Sequence, residues 1–303
     1  MSIIAYADSI EDVDVIPSGL FIDKLTGIGG IPRGVITEVF GDEGIGKSSV
    51  CLQLVANAQR AGLRCLWADV EWSYSPSYAA SLGVDNSKLG LVRERFAETT
   101  LDAIEEAVDS GNWDLVILDS IGGILPRAEA EKGAEGKTIG GQAGLIAKFC
   151  RKIVPSLRIQ NVALVVINHA FIDIMSGKLL TSGGKKLAYH KSLSIRFKLK
   201  QGVSIKQGER RVGKVVVGEV RKNKMAATEG LELDGQLIFG TGFSASADLL
   251  GNALDVGIIT KRGNTYYFGD EKLGIGLNKA RQAIEDDAML AEKIKQVFNE
   301  TKT

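Results

Sequence analysis

The sequence predicts an α/β fold: a large core on a mostly parallel central sheet, followed by a small C-terminal α/β domain. Three observations predict it. Between about residues 31 and 243, β-rich apolar runs alternate with helix-patterned stretches, as strands joined by crossover helices do. One of these runs, Val35-Ile36-Thr37-Glu38-Val39-Phe40, leads directly into a glycine-rich octapeptide and then a helical pattern. Beyond about residue 244 the pattern changes to short helical segments with a hairpin candidate at 258–267. The chain therefore divides into a segment 1–30, a core 31–243 and a small domain 244–303, which 303 residues can accommodate.

Taken in order, residues 1–30 are acidic at Glu11-Asp12-Val13-Asp14 and then glycine-rich. The strand-like Ser2-Ile3-Ile4-Ala5-Tyr6 could pair with the edge of a neighbouring sheet. Strands are expected at 35–40, 64–69, 114–119, 162–168, 193–199, 213–220 and 232–239. The helix after the first of them places residues 51, 54, 55 and 58 on one apolar face and ends at Gly62 as a C-cap. Val162-Ala163-Leu164-Val165-Val166-Ile167 is the longest apolar run and suits a buried strand. The last three core strands lack long helical segments between them, so the sheet should finish antiparallel. Two long loops are expected, 127–144 and 171–184, each following a strand end where open α/β sheets bind ligands. A single helix is expected from about Leu277 to Phe298.

Composition sets limits. The chain is 45% hydrophobic with no run near the roughly 20 residues of a membrane span, so no membrane association is expected. The N-terminus lacks a basic region and a cleavable apolar core, so no secretion is implied. Three cysteines without metal-type spacing suggest reduced thiols in a cytoplasm. The net charge is zero but segregated. From Lys178 to Lys224 there are fourteen Lys and Arg against Glu209 and Glu219, a surplus of twelve that the remainder balances. Such a stretch is usually a solvated face; beside a nucleotide motif it favours a polyanion partner.

The octapeptide Gly41-Asp42-Glu43-Gly44-Ile45-Gly46-Lys47-Ser48 is the phosphate-binding P-loop pattern. It predicts a nucleoside triphosphate with magnesium. The loop amides through Ser49 would close on phosphate oxygens, Lys47 would meet the β- and γ-phosphates, and Ser48 would ligate the metal. Asp119 ends the apolar run Asp114-Leu115-Val116-Ile117-Leu118, a Walker-B pattern that would hold the same metal. Glu71 ends another strand, where a base for water is expected; a structural carboxylate at a helix N-terminus fits that position equally.

The ordered set of Ser18-Gly19, the P-loop, Val70-Glu71, Leu82-Gly83-Val84-Asp85, Leu118-Asp119-Ser120, Val166-Ile167-Asn168-His169, Gly183-Gly184 and Lys222-Asn223-Lys224 resembles the RecA-family recombinases, closest to the phage UvsX type. The resemblance covers almost the whole chain. It implies a RecA-type P-loop NTPase core using ATP and Mg2+, with residues 1–30 as an oligomerisation segment. It implies that Glu71 is the catalytic glutamate, that Tyr78 stacks on adenine, and that His169 senses the γ-phosphate. Ser75 stands where cellular relatives have the base-reading Asp. His169 and Pro155 match the UvsX side. Lys222 and Lys224 match a pair that reaches a neighbour's ATP across a filament interface, although unaided they would read as surface lysines. The two long loops match the family's DNA loops, through Arg127, Lys132, Lys137 and Ile139 in the first and Ile172, Ile174, Met175, Lys178, Lys185 and Lys186 in the second. Gly183-Gly184 is expected to open a helix whose amides could meet a DNA phosphate.

The implied function is an ATP-dependent recombinase that forms a filament on single-stranded DNA, pairs it with homologous duplex and exchanges strands. The implied setting is a bacterial cytoplasm, or a host's if phage-encoded, with single-strand-binding and mediator proteins as further partners. Two alternatives remain at this point: a DNA-stimulated motor without strand exchange, and an ATP-switched scaffold that coats DNA.

Overall fold

The computed structural model describes residues 12–131, 141–172, 177 and 179–300. Strands β1 (Val15–Ile16) and β2 (Ile31–Pro32) pair antiparallel around the short helix α1 (Ile22–Thr26). Strand β3 (Ile36–Gly41), the glycine loop and helix α2 (Lys47–Arg60) follow in the expected order. Next come β4 (Cys65–Asp69), α3 (Pro76–Ser81), β5 (Leu89–Val92), α4 (Ala97–Asp109) and β6 (Leu115–Asp119). Helices α5 (Arg127–Ala130) and α6 (Gly141–Gln160) lead to β7 (Ala163–Ile172), β8 (Leu179–Thr181) and α7 (Gly184–His190). The core closes with β9 (Leu193–Gln207), β10 (Arg210–Asn223), β11 (Glu232–Ile238) and β12 (Gly242–Phe243).

Among the described residues the main sheet has the order β12-β11-β10-β9-β3-β7-β6-β4-β5, with β8 off the path on β7. The pairs from β9 through β5 are parallel, while β9-β10, β10-β11 and β11-β12 are antiparallel. Strand alternation sends successive side chains to opposite faces. Leu115 and Ile117 of β6 thus join the core that contains α2, while Val116 and Leu118 join the one that contains α4 and α6. The run 162–167 is buried throughout, as its apolar character predicts. Pro155 lies inside α6.

Several expectations need correction. Strand β5 has no advance mark, since Leu89-Gly90-Leu91-Val92 is short and carries a glycine. Strands β9 and β10 run well past 199 and start well before 213. Their polar outer halves gain strand structure from cross-strand pairing at a two-residue turn, with Gly208 at positive φ. The loop assigned to 127–144 contains α5, and α6 takes up Gly141 to Gly144. Gln142 anchors that turn by donating to the carbonyls of Gly122 and Ile124, both at 3.2 Å. The loop assigned to 171–184 is partly an antiparallel arm, β7 pairing with β8 from Ala170 to Ile172.

The C-terminal unit comprises α8 (Ala245–Asp255), an antiparallel sheet of β13 (Ile259–Arg262), β14 (Thr265–Phe268) and β15 (Glu271–Ile275), then α9 (Leu277–Asp286) and α10 (Ala288–Glu300). The hairpin at 258–267 thus gains a third strand. The single helix expected from Leu277 to Phe298 is two helices. Asp287 breaks it by turning extended and accepting hydrogen bonds from the amides of Met289 and Leu290. A separate apolar cluster, including Leu250, Ile259, Tyr266, Ile284 and Ile294, holds this unit together.

Candidate nucleotide-binding site

The P-loop lies at the carboxyl end of β3, beside the ends of β4, β6 and β7, where an open α/β sheet forms its crevice. Glycine is required at Gly41: φ is 156°, and a Cβ there would lie 2.3 Å from the Phe197 carbonyl oxygen. Gly46 sits at φ 98° as the N-cap of α2, against Leu237 and Phe243. Residues Glu43 to Ser49 line the crevice at the start of a fourteen-residue helix, where free amides and the helix dipole favour an anion.

The expected phosphate and metal residues converge. Lys47 is 5% exposed, and its Nζ donates to the carbonyls of Gly41 at 3.0 Å and Asp42 at 2.7 Å. Burial pulls its pKa below the usual lysine range, against the field of Asp119, Glu71, Asp42 and Glu43. Ser48 Oγ donates to Asp119 Oδ2 at 2.8 Å. Burial pushes Asp119 up to about 6, helped by Glu71 and Asp69 and opposed by the Ser48 hydrogen bond and Lys47. A divalent cation against this carboxylate would relieve that penalty, so one hydroxyl and one carboxylate fit the P-loop metal arrangement. No group of three or more His, Cys, Asp or Glu among the described residues could hold a metal unaided, so phosphate oxygens would have to complete the shell.

Glu71 follows β4, and its Oε1 accepts hydrogen bonds from Ser120 Oγ and, at 3.0 Å, from His169 Nε2 in the tautomer that carries hydrogen there. Burial pushes its pKa up, but the Ser120 and His169 hydrogen bonds with the charge of Lys47 outweigh this, and the carboxyl ends below the usual glutamate range. His169 itself projects from β7, one residue after the buried Asn168. Tyr78 on α3 shares a 2.7 Å hydrogen bond with Ser49 Oγ. Ser75 Oγ caps α3 by accepting from the Tyr78 amide at 3.3 Å.

Lys47, Ser48, Ser49, Glu71, Tyr78, Asp119 and His169 line one cavity of about 440 Å³ with Glu43, Gly44, Ile45 and Gly46, whereas Ser75 and Ser120 do not. Its far wall comes from Lys214, Leu237, Ile238, Phe239 and Gly240, which sequence reasoning missed. Phe239 is 51% exposed, and its mark in sequence is an aromatic ring leading into Gly240-Thr241-Gly242. Lys222 and Lys224 are not part of this cavity. Lys222 lies eight residues along β10 from Lys214, about 25 Å at strand rise. Its Nζ donates to the Ala188 carbonyl at 2.6 Å, while Lys224 Nζ reaches Tyr189 O at 3.5 Å.

The expected DNA-contact residues are less complete. Arg127 begins α5, its guanidinium 4.3 Å from the Phe96 ring centroid. Ile172 is 67% exposed on the β7–β8 arm. Gly183 caps α7 at positive φ, Gly184 opens it, and Lys185 and Lys186 are exposed on its first turn. Lys132, Lys137, Ile139, Ile174, Met175 and Lys178, like Ser2 to Tyr6, lie outside the described residues. Among the described residues no helix is long and apolar enough to cross a membrane.

Comparison with known proteins shows the family. The profile of the RecA N-terminal domain matches residues 1–244 and that of the RecA C-terminal domain residues 247–301. Protein RecA of Deinococcus radiodurans is 36% identical over 95% of this chain and 80% of its own length. Protein RecA of Paenarthrobacter aurescens is 34% identical over 97% and 85%. The crystal structure of the RadB recombinase superposes with a TM-score of 0.57 at 20% identity, over 75% of this chain and 98% of that one, which shows the shared fold. The chain belongs to the RecA family of recombinases.

Proposed function

We propose that this chain is an ATP-dependent recombinase that assembles on single-stranded DNA, captures homologous duplex and exchanges strands. The observation that carries the reading is the Glu71 carboxylate, held at once by Ser120 and by His169 at the mouth of the P-loop. Ionised at neutral pH, Glu71 can orient an attacking water and take its proton. Lys47 and the loop amides would hold the phosphates, Tyr78 the base, and Ser48 with Asp119 the magnesium. Bound magnesium would neutralise charge on the β- and γ-phosphate oxygens.

His169 connects that chemistry to DNA. It contacts Glu71 on one side and continues through β7 into the arm that carries Ile172. A γ-phosphate contact at His169 would favour one setting of the arm, a population shift toward the DNA-binding state. Arg127, Ile172, Gly183, Gly184, Lys185 and Lys186 would meet DNA, as would Lys137, Ile139, Ile174 and Lys178. With lysines and amides dominating, binding would follow the backbone and weaken with salt.

Lys222 and Lys224 are too far from their own P-loop to serve it. Burial and mutual repulsion with Lys224 and Lys191 lower the Lys222 pKa, against the field of Glu229 and Glu38, so an added anion would relieve the repulsion. A neighbour's triphosphate would supply one, which makes turnover depend on assembly. His169 and Pro155 favour the UvsX-type branch within the family.

The test combines two measurements on the full chain. Joint-molecule formation between single strands and homologous duplex should require ATP. Electron microscopy with single-stranded DNA and a non-hydrolysable ATP analogue should show filaments. Rings or monomers with no joint molecules would overturn the recombinase reading in favour of a motor. Filaments with equal ATP turnover in wild type and Glu71→Gln would favour a scaffold.

A further inference from the structure

Among the described residues Lys214 is a cation without an ion-pair partner. It stands on β10, paired in register with Leu237 of β11 and Ser204 of β9. Its ammonium crosses to the P-loop and donates to the carbonyl oxygen of Gly44. No carboxylate among the described residues pairs with it. The charge that acts on it is another cation, Arg211, whose guanidinium lies 5.9 Å from the Phe239 ring centroid. Burial and the Arg211 charge both pull the Lys214 pKa below the usual lysine range. Lys47, in the same cavity, is in the field of four acids. Two lysines therefore face one cavity with no ion pair among the described residues, and the field of acids reaches Lys47 while that of Arg211 reaches Lys214.

An ammonium carries three hydrogens, and the Gly44 carbonyl takes one. The remaining two have no partner among the described residues. Gly44 belongs to the loop whose amides would wrap the phosphates, so a group bonded to its carbonyl sits beside the polyphosphate. Phe239 and Gly240, next along the same wall, leave the base end to apolar contacts.

We propose that Lys214 is a second polyphosphate ligand, supplied by the same subunit from the β10–β11 wall and presented by the Gly44 carbonyl. The proposal rests on the nucleotide reading of the cavity. It makes the site two-walled within one chain before any neighbour contributes. Lys214 would bind α- or β-phosphate oxygens, strengthen ADP and ATP alike, and leave the hydrolytic step to Glu71.

The experiment titrates fluorescent mant-ADP into the full chain and into Lys214→Met, Lys214→Arg and Lys47→Ala, with unlabelled adenosine as a phosphate-free competitor. One charge-assisted hydrogen bond predicts a Kd about tenfold weaker for Lys214→Met. Arginine should recover most of that loss, and adenosine should compete equally well against wild type and variant. Thermal melts separate ligand contact from a structural staple. The nucleotide-free Tm should be unchanged in Lys214→Met while its ADP-induced rise shrinks. An unchanged Kd, an equal loss for adenosine, or a lower nucleotide-free Tm with a full ADP-induced rise would each overturn the proposal. A wild-type chain that binds mant-ADP no better than Lys47→Ala would instead overturn the nucleotide reading beneath it.

Discussion

Glu71 illustrates how neighbours assign a role to a residue. A strand-end carboxylate reads either way in sequence. Its shared hydrogen bonds to Ser120 and His169 leave it ionised and aimed at the P-loop mouth. Glu71→Gln keeps the shape and removes the base. DNA-stimulated ATP turnover should fall at least about 100-fold while mant-ATP binding is retained; rapid-quench and titration measurements would check the two together. Asp248 on α8 is the contrasting case. It accepts the Phe21 amide at 2.8 Å, and burial, with Asp23 nearby, pushes it up to about 7. A carboxyl raised in the folded state favours folding most below its unfolded pKa of about 4. That contribution declines as pH climbs toward 7 and is flat above it. Asp248→Asn keeps an acceptor for Phe21 without the charge. Urea melts should show wild type losing about 2 kcal/mol more than the variant between pH 4 and 7, the full linkage being discounted for partial exposure.

At the scale of elements, β3 and β7 are locked by a buried polar cluster. Glu38 is fully buried, ion-paired with Lys191, and accepts from Ser194 Oγ at 2.7 Å and Asn168 Nδ2 at 2.9 Å. Asn168 also donates to Ser182 O at 2.9 Å, tying the core strands to the chain just before α7. Removing one partner strands a buried charge, so Lys191→Ala should cost about 3 kcal/mol in urea unfolding. Only Asn168 is marked in sequence, within Val166-Ile167-Asn168-His169, because the other members are single polar residues far apart along the chain. The parallel strands were legible because both faces are buried, which leaves continuous apolar runs such as 162–167. Strand β5 and the outer halves of β9 and β10 were not, because pairing rather than burial makes them strands. The same difference divides the site. Lys47 and Ser48 are fixed by a local octapeptide and Asp119 by its strand. Lys214 and Phe239 reach the cavity only through the antiparallel return of β10 and β11, which no local spacing encodes.

For the whole molecule, the placement of Lys222 about 25 Å along β10 from the chain's own P-loop wall, with Lys224 just past the strand's end, is the strongest reason to expect cooperation between copies. The double variant Lys222→Ala, Lys224→Ala should bind mant-ATP as wild type does and lose DNA-stimulated turnover by about 10³-fold, as loss of an arginine finger does. Mixing it with Glu71→Gln should restore part of the turnover, since each variant keeps the half-site that the other lacks. Strand β7 gives the assembly one more property. It is a single beam whose root, Asn168, is clamped in the core and whose tip, Ile172, stands clear of it, about 13 Å away at strand rise. His169 sits beside the root. A beam held at one end turns a small tilt there into a larger sweep at its tip. Under the proposed nucleotide and DNA reading, a sub-ångström change at a phosphate would become motion on the scale of a base step, through leverage.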